Sequence, residues 1–391
     1  MLDSTTIEFI AQHRNDDVRT LALQGKRYPT VDIREAVVQI EGWQQAREKL
    51  PSWAAVDGII YPPKISMEQC SSEQTAKYKS SIATGERFAD LTGGFGIDFS
   101  YIAHGFKEAL YIERNARLCD IATANFSLLG LNHAKVINGN SEEQLESLPQ
   151  LDWIFIDPAR RDGDGRKVVA LSDCEPNVVE MEEALLAKAN RVMIKSSPML
   201  DITQACRQLK NVTSVHIIAV NNECKELLFT LQRDKSEKCQ IHCIDIRKNG
   251  THEFTFTQDE ESHSASTFST SVSEYIYEPN ATIQKAGCHN TLSQRMGLKK
   301  LHPNSQLYTA DTYIPEFPGR AFRVVEVAGF SKAEIKRVQT LQKANITVRN
   351  FPENVQQLRK RLKLADGGDN YIFATTLADG NKVLIVCKKE K

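Results

Sequence analysis

Four short stretches, DLTGGFG at 90–96, IER at 112–114, NGNS at 138–141 and FIDPARR at 155–161, each begin on or directly follow an apolar run of strand length. From Arg87 to about Gln232 such runs alternate with amphipathic helical segments, among them 116–129 and 177–189. Repeated βα units predict a parallel sheet with helices on both faces. Loops at the carboxyl ends of parallel strands are where open α/β sheets bind ligands. The four stretches therefore predict one composite pocket, and their residue types suit a nucleotide-like ligand.

A chain of 391 residues is too long for one ordinary core. Residues 1–84 read as a helical region, with apolar positions at helical spacing and breaks at Pro51, Pro62 and Pro63. The sheet domain is expected over 85–258. Within it the apolar runs at 214–220 and 227–232 are too close for a helical crossover and predict an antiparallel hairpin at the sheet edge. Residues 239–257 predict a further hairpin around Asn249 and Gly250. The acidic, Ser/Thr-rich stretch 259–273 reads as a linker. A small module is expected over 274–322 and an α+β domain over 323–391, with helices at 332–343 and 354–363 capped by Ser331 and Asn354.

Lys and Arg number 49 against 50 Asp and Glu, so any attraction to nucleic acid must come from local patches. One is visible: between Ser331 and Lys363 nine basic residues, including Lys336, Arg337, Arg359 and Arg361, face only Glu334 and Glu353. The start MLDSTTIEFI lacks the pattern of a secretory signal, and no run approaches the ~20 apolar residues of a membrane span, so a cytoplasmic location without membrane contact is expected. The nine cysteines form no CxxC pair and read as reduced thiols. Cys239, His242 and Cys243 lie in an alternating strand-like run, which favours packing over metal ligation; no metal is expected.

Asp90 ends the first strand, and Gly93, Gly94 and Gly96 follow before a helix. Glycines permit a sharp turn and close approach of backbone to ligand, and the helix N-terminus adds free N–H donors. The run does not match GxGxxG, and an acid ahead of the glycines suits a cationic ligand better than a pyrophosphate. Glu113 is placed to accept both hydroxyls of a ribose, Asn140 to bond a base edge, and Asp157 to lie where a substrate meets the cofactor.

On these residues the stretch from about 85 to 232 resembles the class I S-adenosylmethionine-dependent methyltransferases. The resemblance implies a Rossmann-like sheet and S-adenosylmethionine as cofactor. It implies a cofactor-binding set of Asp90, Thr92, Gly93, Gly94, Phe95, Gly96, Glu113, Arg114, Asn140, Ser141 and Asp157, with Asp90 and the glycine backbone on the methionine moiety, Glu113 on the ribose, and Asn140 with Ser141 on the adenine. The region around Glu113 is similar to the second-strand region of RNA methyltransferases. Residues 323–391 look like the THUMP-like domain attached to a group of bacterial methyltransferases, and 274–322 like the small ferredoxin-like module that accompanies it. RNA, tRNA or rRNA, is the partner this implies.

Departures from the family's subclasses narrow the chemistry. Asp157-Pro-Ala-Arg160 has no aromatic where enzymes acting on exocyclic amines carry one, and no cysteine for covalent catalysis on a base carbon. It is nearer to the motif of tRNA guanine-N1 methyltransferases, where direct in-line transfer to a ring nitrogen needs positioning and proton removal. Asp157, Arg160 and Lys195 are the expected catalytic residues; Arg160, Arg161, Lys336, Arg337, Arg359 and Arg361 are expected to contact substrate. Two readings compete with RNA methylation: a protein methyltransferase, and a non-catalytic RNA-binding protein that retains the cofactor fold. A nicotinamide oxidoreductase is disfavoured by the missing GxGxxG.

Overall fold

In the computed structural model, residues 3–160, 170–233 and 238–390 are described. The chain divides into two compact units, Met1–Thr213 with Leu227–Glu237 and Ser214–Glu226 with Lys238–Lys391.

The first unit opens with helices α1 (Ser4–His13), α2 (Val18–Leu23), α3 (Ile33–Lys49), α4 (Pro51–Ala54), α5 (Lys64–Gln69) and α6 (Glu73–Ile82). Asp3, Asp17, Asp32 and Ser72 cap α1, α2, α3 and α6 by accepting backbone amides of the first turn, each cap contributing about 1 kcal/mol. Gly42 of α3 lies against Tyr61, where a Cβ would stand 2.3 Å from the tyrosine's own Cβ. Gln39 exchanges two hydrogen bonds with the Tyr61 backbone, so this close contact leaves no buried peptide group of Tyr61 unpaired. Trp53, Tyr61 and Met67 share one apolar cluster with Phe95, Ile97 and Ile121. No break falls at the expected boundary after residue 84, because the helices and the sheet region bury their apolar faces against each other.

The sheet region runs β1 (Arg87–Asp90), α7 (Ile97–Ala103), β2 (Glu108–Glu113), α8 (Ala116–Leu128), β3 (Ala134–Asn138), α9 (Ser141–Leu145) and β4 (Leu151–Ile156), then the short pair β5 (Ala159–Arg160) and β6 (Cys174–Glu175). It continues with α10 (Val178–Lys188), β7 (Ala189–Ser196), α11 (Ile202–Gln208), β8 (Val212–Val220) and β9 (Glu223–Gln232). Strands β3, β2, β1, β4 and β7 pair in parallel in that order, and Leu227–Gln232 of β9 pairs antiparallel with β7. The strand order reverses between β1 and β4, the kind of switch point where α/β sheets place their ligands. The expected hairpin forms between β8 and β9, but not at a sheet edge, because a further strand pairs along Ser214–Val220 of β8. Asn221 (φ 50°) and Asn222 (φ 67°) make its two-residue turn, in the left-handed conformation that asparagine tolerates.

In the second unit, Ser214–Val220 of β8 pairs in parallel with β10 (Gln240–Arg247), which forms an antiparallel hairpin with β11 (Gly250–Thr257). The stretch 259–273, expected as a linker, is instead built into the fold. It carries most of α12 (Gln258–His263) and all of β12 (Thr267–Phe268). Glu261 accepts the amides of Asn290 and Thr291, and Glu260 pairs with Arg295. Its acidic residues serve as caps and ion-pair partners, which composition alone cannot show.

There follow β13 (Tyr275–Pro279), α13 (Ala281–Ala286), α14 (His289–Met296), β14 (Lys299–His302), β15 (Ser305–Ala310), β16 (Gly319–Ala328), α15 (Lys332–Val338), β17 (Asn345–Arg349), α16 (Val355–Leu362), β18 (Asn370–Thr376) and β19 (Lys382–Lys389). Eight strands form one sheet in the order β12-β14-β15-β13-β16-β19-β18-β17. The helix expected over 332–343 ends at Val338 and passes into a 3-10 turn. Ser331 caps it, while Glu334 reaches back to the Gly329 amide and the Ser331 hydroxyl. Asn354 and Gln357 form a reciprocal capping box on α16. No helix of the described residues is long and apolar enough to cross a membrane.

Candidate functional site

The first loop is held by contacts that only glycine allows. A Cβ on Gly93 would stand 2.2 Å from the Tyr111 ring, and one on Gly96, whose φ is +83°, would stand 2.9 Å from Phe126. The Tyr111 hydroxyl donates to the Gly94 carbonyl at 2.5 Å, and the Gly93 amide donates to the Ile112 carbonyl. Asp90 is buried beneath this loop, accepting the Thr92 amide at 2.9 Å and lacking an ion pair among the described residues. Burial pushes its carboxyl well above the usual range; the Thr92 amide opposes this, while Asp98, Asp157 and Glu113 reinforce it.

Glu113, at the end of β2, ties the first loop to the second. One oxygen accepts the Gly94 amide at 2.9 Å and the other the Asn115 amide at 2.8 Å. Each retains a lone pair for a further donor. Asn138, outside the expected set of site residues, donates to the carbonyls of Glu113 and Arg114 and so braces this turn. The Arg114 side chain pairs with Glu175 at 2.7 Å in an exposed position. Asn140 caps α9 by accepting the Glu142 amide, which leaves its Nδ2 as a donor, and Ser141 begins the helix.

The Asp157 amide donates to the Thr92 hydroxyl at 2.7 Å, binding the fourth loop to the first. Its carboxylate meets the Lys195 ammonium at 2.5 Å, and Lys195 also lies 3.5 Å from Asp98. Asp98, in α7, is outside the expected set of site residues. Here it is buried, accepting the Ser71 hydroxyl at 2.7 Å and pairing with Lys79 of α6 at 3.0 Å. Burial alone would raise its carboxyl, but the two lysines and Ser71 outweigh burial and hold it below the usual range. Lys79 has no signal in the sequence: a lysine in an N-terminal helix gives no sign that it is buried.

Phe95, expected in the cofactor-binding set, has a buried side chain that packs edge-on against Trp53 at 5.0 Å within the apolar cluster of the helical region. Arg160 extends the chain through β5, paired with Cys174; its side chain, and Arg161 altogether, lie outside the described residues.

In the second unit the basic cluster separates into two sets. Arg337 pairs with Glu326, Arg359 with Asp366 and Arg361 with Glu353, and the Arg361 guanidinium also lies over the Phe330 ring. These arginines are committed within the domain. Lys332, Lys336, Lys343, Lys360 and Lys363 are exposed and make no ion pair among the described residues. His242 stacks on His216 at 4.4 Å and pairs with Glu253, and Cys243 is buried. Among the described residues no group of three or more such side chains could hold a metal.

Residues 275–318 match a ferredoxin-like domain family and 319–389 a THUMP-like domain family. The crystal structure of a candidate methyltransferase from Porphyromonas gingivalis W83 is 34% identical over 100% of both chains, with a TM-score of 0.89. Two other solved structures are similar only in part. TrmK of M. capricolum, solved with S-adenosyl-homocysteine, is 13% identical over 42% of this chain and 69% of its own, with a TM-score of 0.33. The Pyrococcus abyssi tRNA (uracil-54, C5)-methyltransferase is 18% identical over 40% of this chain and 37% of its own, with a TM-score of 0.31. Likeness this partial says nothing of function. No curated protein matches the sequence. Full-length similarity at 34% identity, together with the parallel sheet and the two C-terminal domain matches, places the chain in the class I methyltransferase family whose members carry ferredoxin-like and THUMP-like C-terminal domains.

Proposed function

We propose that the protein transfers a methyl group from S-adenosylmethionine to a base nitrogen of RNA. The observation that carries this reading is Asp90, a buried carboxyl without a counter-ion among the described residues, under a glycine loop whose Gly94 leaves room for a ligand. A buried acid of this kind favours a ligand that brings positive charge. The other polar groups fit the same cofactor. Glu113 has lone pairs for the two ribose hydroxyls, and Asn140 Nδ2 and Ser141 lie at the third strand end for the adenine.

When bound, S-adenosylmethionine supplies an electrophilic methyl on a sulfonium. The protein's own work is then alignment and proton removal. Asp157, fixed through its amide to Thr92 and through its carboxylate to Lys195, orients the acceptor and takes its proton. Lys195, Arg160 and Arg161 receive substrate phosphate or base. The unpaired lysines of α15 and α16, with Lys336 foremost, supply RNA affinity, and Arg337, Arg359 and Arg361 shape the surface that carries them.

The test is transfer of tritiated methyl from S-adenosylmethionine into fractionated cell extract. Label in tRNA or rRNA is expected. Label in protein would replace the RNA reading by protein methylation, and cofactor binding without label in any fraction would favour the non-catalytic reading.

A further inference from the structure

Four charged side chains in the first unit alternate in sign along one line. Lys79 of α6 pairs with Asp98 of α7 at 3.0 Å, Asp98 lies 3.5 Å from Lys195 of β7, and Lys195 pairs with Asp157 at 2.5 Å. Side-chain exposure rises along it, 0%, 10%, 11% and 37%, so the line begins in the core and ends at the mouth of the site. Ser71 braces the buried end, donating to Asp98 at 2.7 Å and accepting from Lys79 at 3.1 Å. A lysine at the first position is costly to bury, and its charge is compensated there by a carboxylate whose other neighbour is the site lysine.

We infer that Lys79 is a positioning residue: by holding Asp98 it fixes the Lys195 ammonium against Asp157, so the N-terminal helical region forms part of the acceptor side of the site. The inference rests on the methyltransferase reading for its catalytic consequence but not for its geometry. Without Lys79, Asp98 keeps one ammonium partner among the described residues, and Lys195 is drawn inward, away from Asp157. Loss of alignment at the reacting group lowers turnover while cofactor binding, on the other side of the loop, is spared.

Two measurements on the full chain test this. The first is nitrogen-15 NMR of lysine ammonium groups, in which pinned ammonium groups exchange slowly with water; Lys79→Met and Lys195→Met identify the two signals. In Lys79→Met the Lys195 signal is expected to shift and exchange faster, and an unchanged signal overturns the inference. The second compares Lys79→Met with Lys79→Met/Asp98→Asn, which removes the carboxylate that draws Lys195 inward. The single variant is expected to bind S-adenosylmethionine like the parent yet to transfer methyl with kcat lowered by about 10- to 100-fold, and the double variant to regain most of that kcat. A double variant as slow as the single one, or a single variant with the parent's kcat, overturns the inference. Absence of any transfer by the parent protein, with the NMR coupling intact, would instead count against the methyltransferase reading.

Discussion

Glu113 accepts the Gly94 amide at 2.9 Å across the gap between the first two strand ends, so one carboxylate holds the glycine loop to the end of the second strand. Glu113→Ala removes the loop support and the proposed ribose acceptor together. The variant is expected to fold but to lose the thermal stabilisation that S-adenosylmethionine confers on the parent. A shift equal to the parent's in a thermal-melt titration would refute the ribose assignment.

Gly93→Ala places a methyl group within the Tyr111 ring, 2.2 Å from its nearest atom. The ring is fully buried and its hydroxyl is tied to the Gly94 carbonyl, so it cannot swing away without breaking the loop. A loss of about 1–3 kcal/mol in denaturant unfolding is expected, with cofactor binding lost alongside. Gly130→Ala, at a site with nothing within 4 Å and a φ of +73°, is the control for backbone strain alone.

Asp90 makes both stability and cofactor affinity depend on pH. Its folded-state carboxyl is raised by burial, so its contribution to stability is fully present below the unfolded carboxyl range near 4 and is lost as pH rises through the folded value. The stability of Asp90→Asn relative to the parent is therefore expected to grow as pH rises above about 4. A cationic ligand draws the proton off Asp90, so binding should release a proton and tighten with pH. Calorimetry in buffers of different ionisation enthalpy measures this directly, and the release should vanish in Asp90→Asn.

His216 and His289 have the opposite sign of effect. Burial, aided by His242 and by Lys300 respectively, lowers His216 to about 3 and His289 to about 4. A histidine depressed on folding stabilises above its unfolded value, near 6.5, and that contribution is lost as pH falls toward the folded value. Chemical denaturation of the second unit is expected to show a lower midpoint at pH 5 than at pH 7.5. In His216→Gln the drop should shrink; an unchanged drop would assign the acid sensitivity elsewhere.

The five unpaired lysines and the paired arginines should separate in RNA binding. Lys336→Glu is expected to weaken RNA affinity and flatten its dependence on salt by about one ion released. Arg361→Met breaks the Glu353 pair and the contact with Phe330, so it should lower the melting temperature more than it lowers affinity. Filter binding across a salt series distinguishes the two.

What was legible in the sequence was local and periodic. Strand runs ending in Asp90, Glu113, Asn138 and Ile156, and the helices between them, are dictated by apolar spacing and caps, and those caps form as read at Ser331 and Asn354. The glycine loop and its flanking acids were legible because their spacing follows from strand geometry. Partners distant in sequence were not. The same composition that marked 259–273 as a linker serves there to cap α14 and pair with Arg295, and the Phe95 ring is buried against Trp53, 42 positions earlier. Nothing in the sequence marks Lys79 and Asp98 as partners, yet both are buried and each is the other's counter-ion. The sequence by itself determined which loops follow the ends of the parallel strands. Only the tertiary structure decided which charges are buried and with whom they pair, because desolvation is a property of packed neighbours and has no period along the chain.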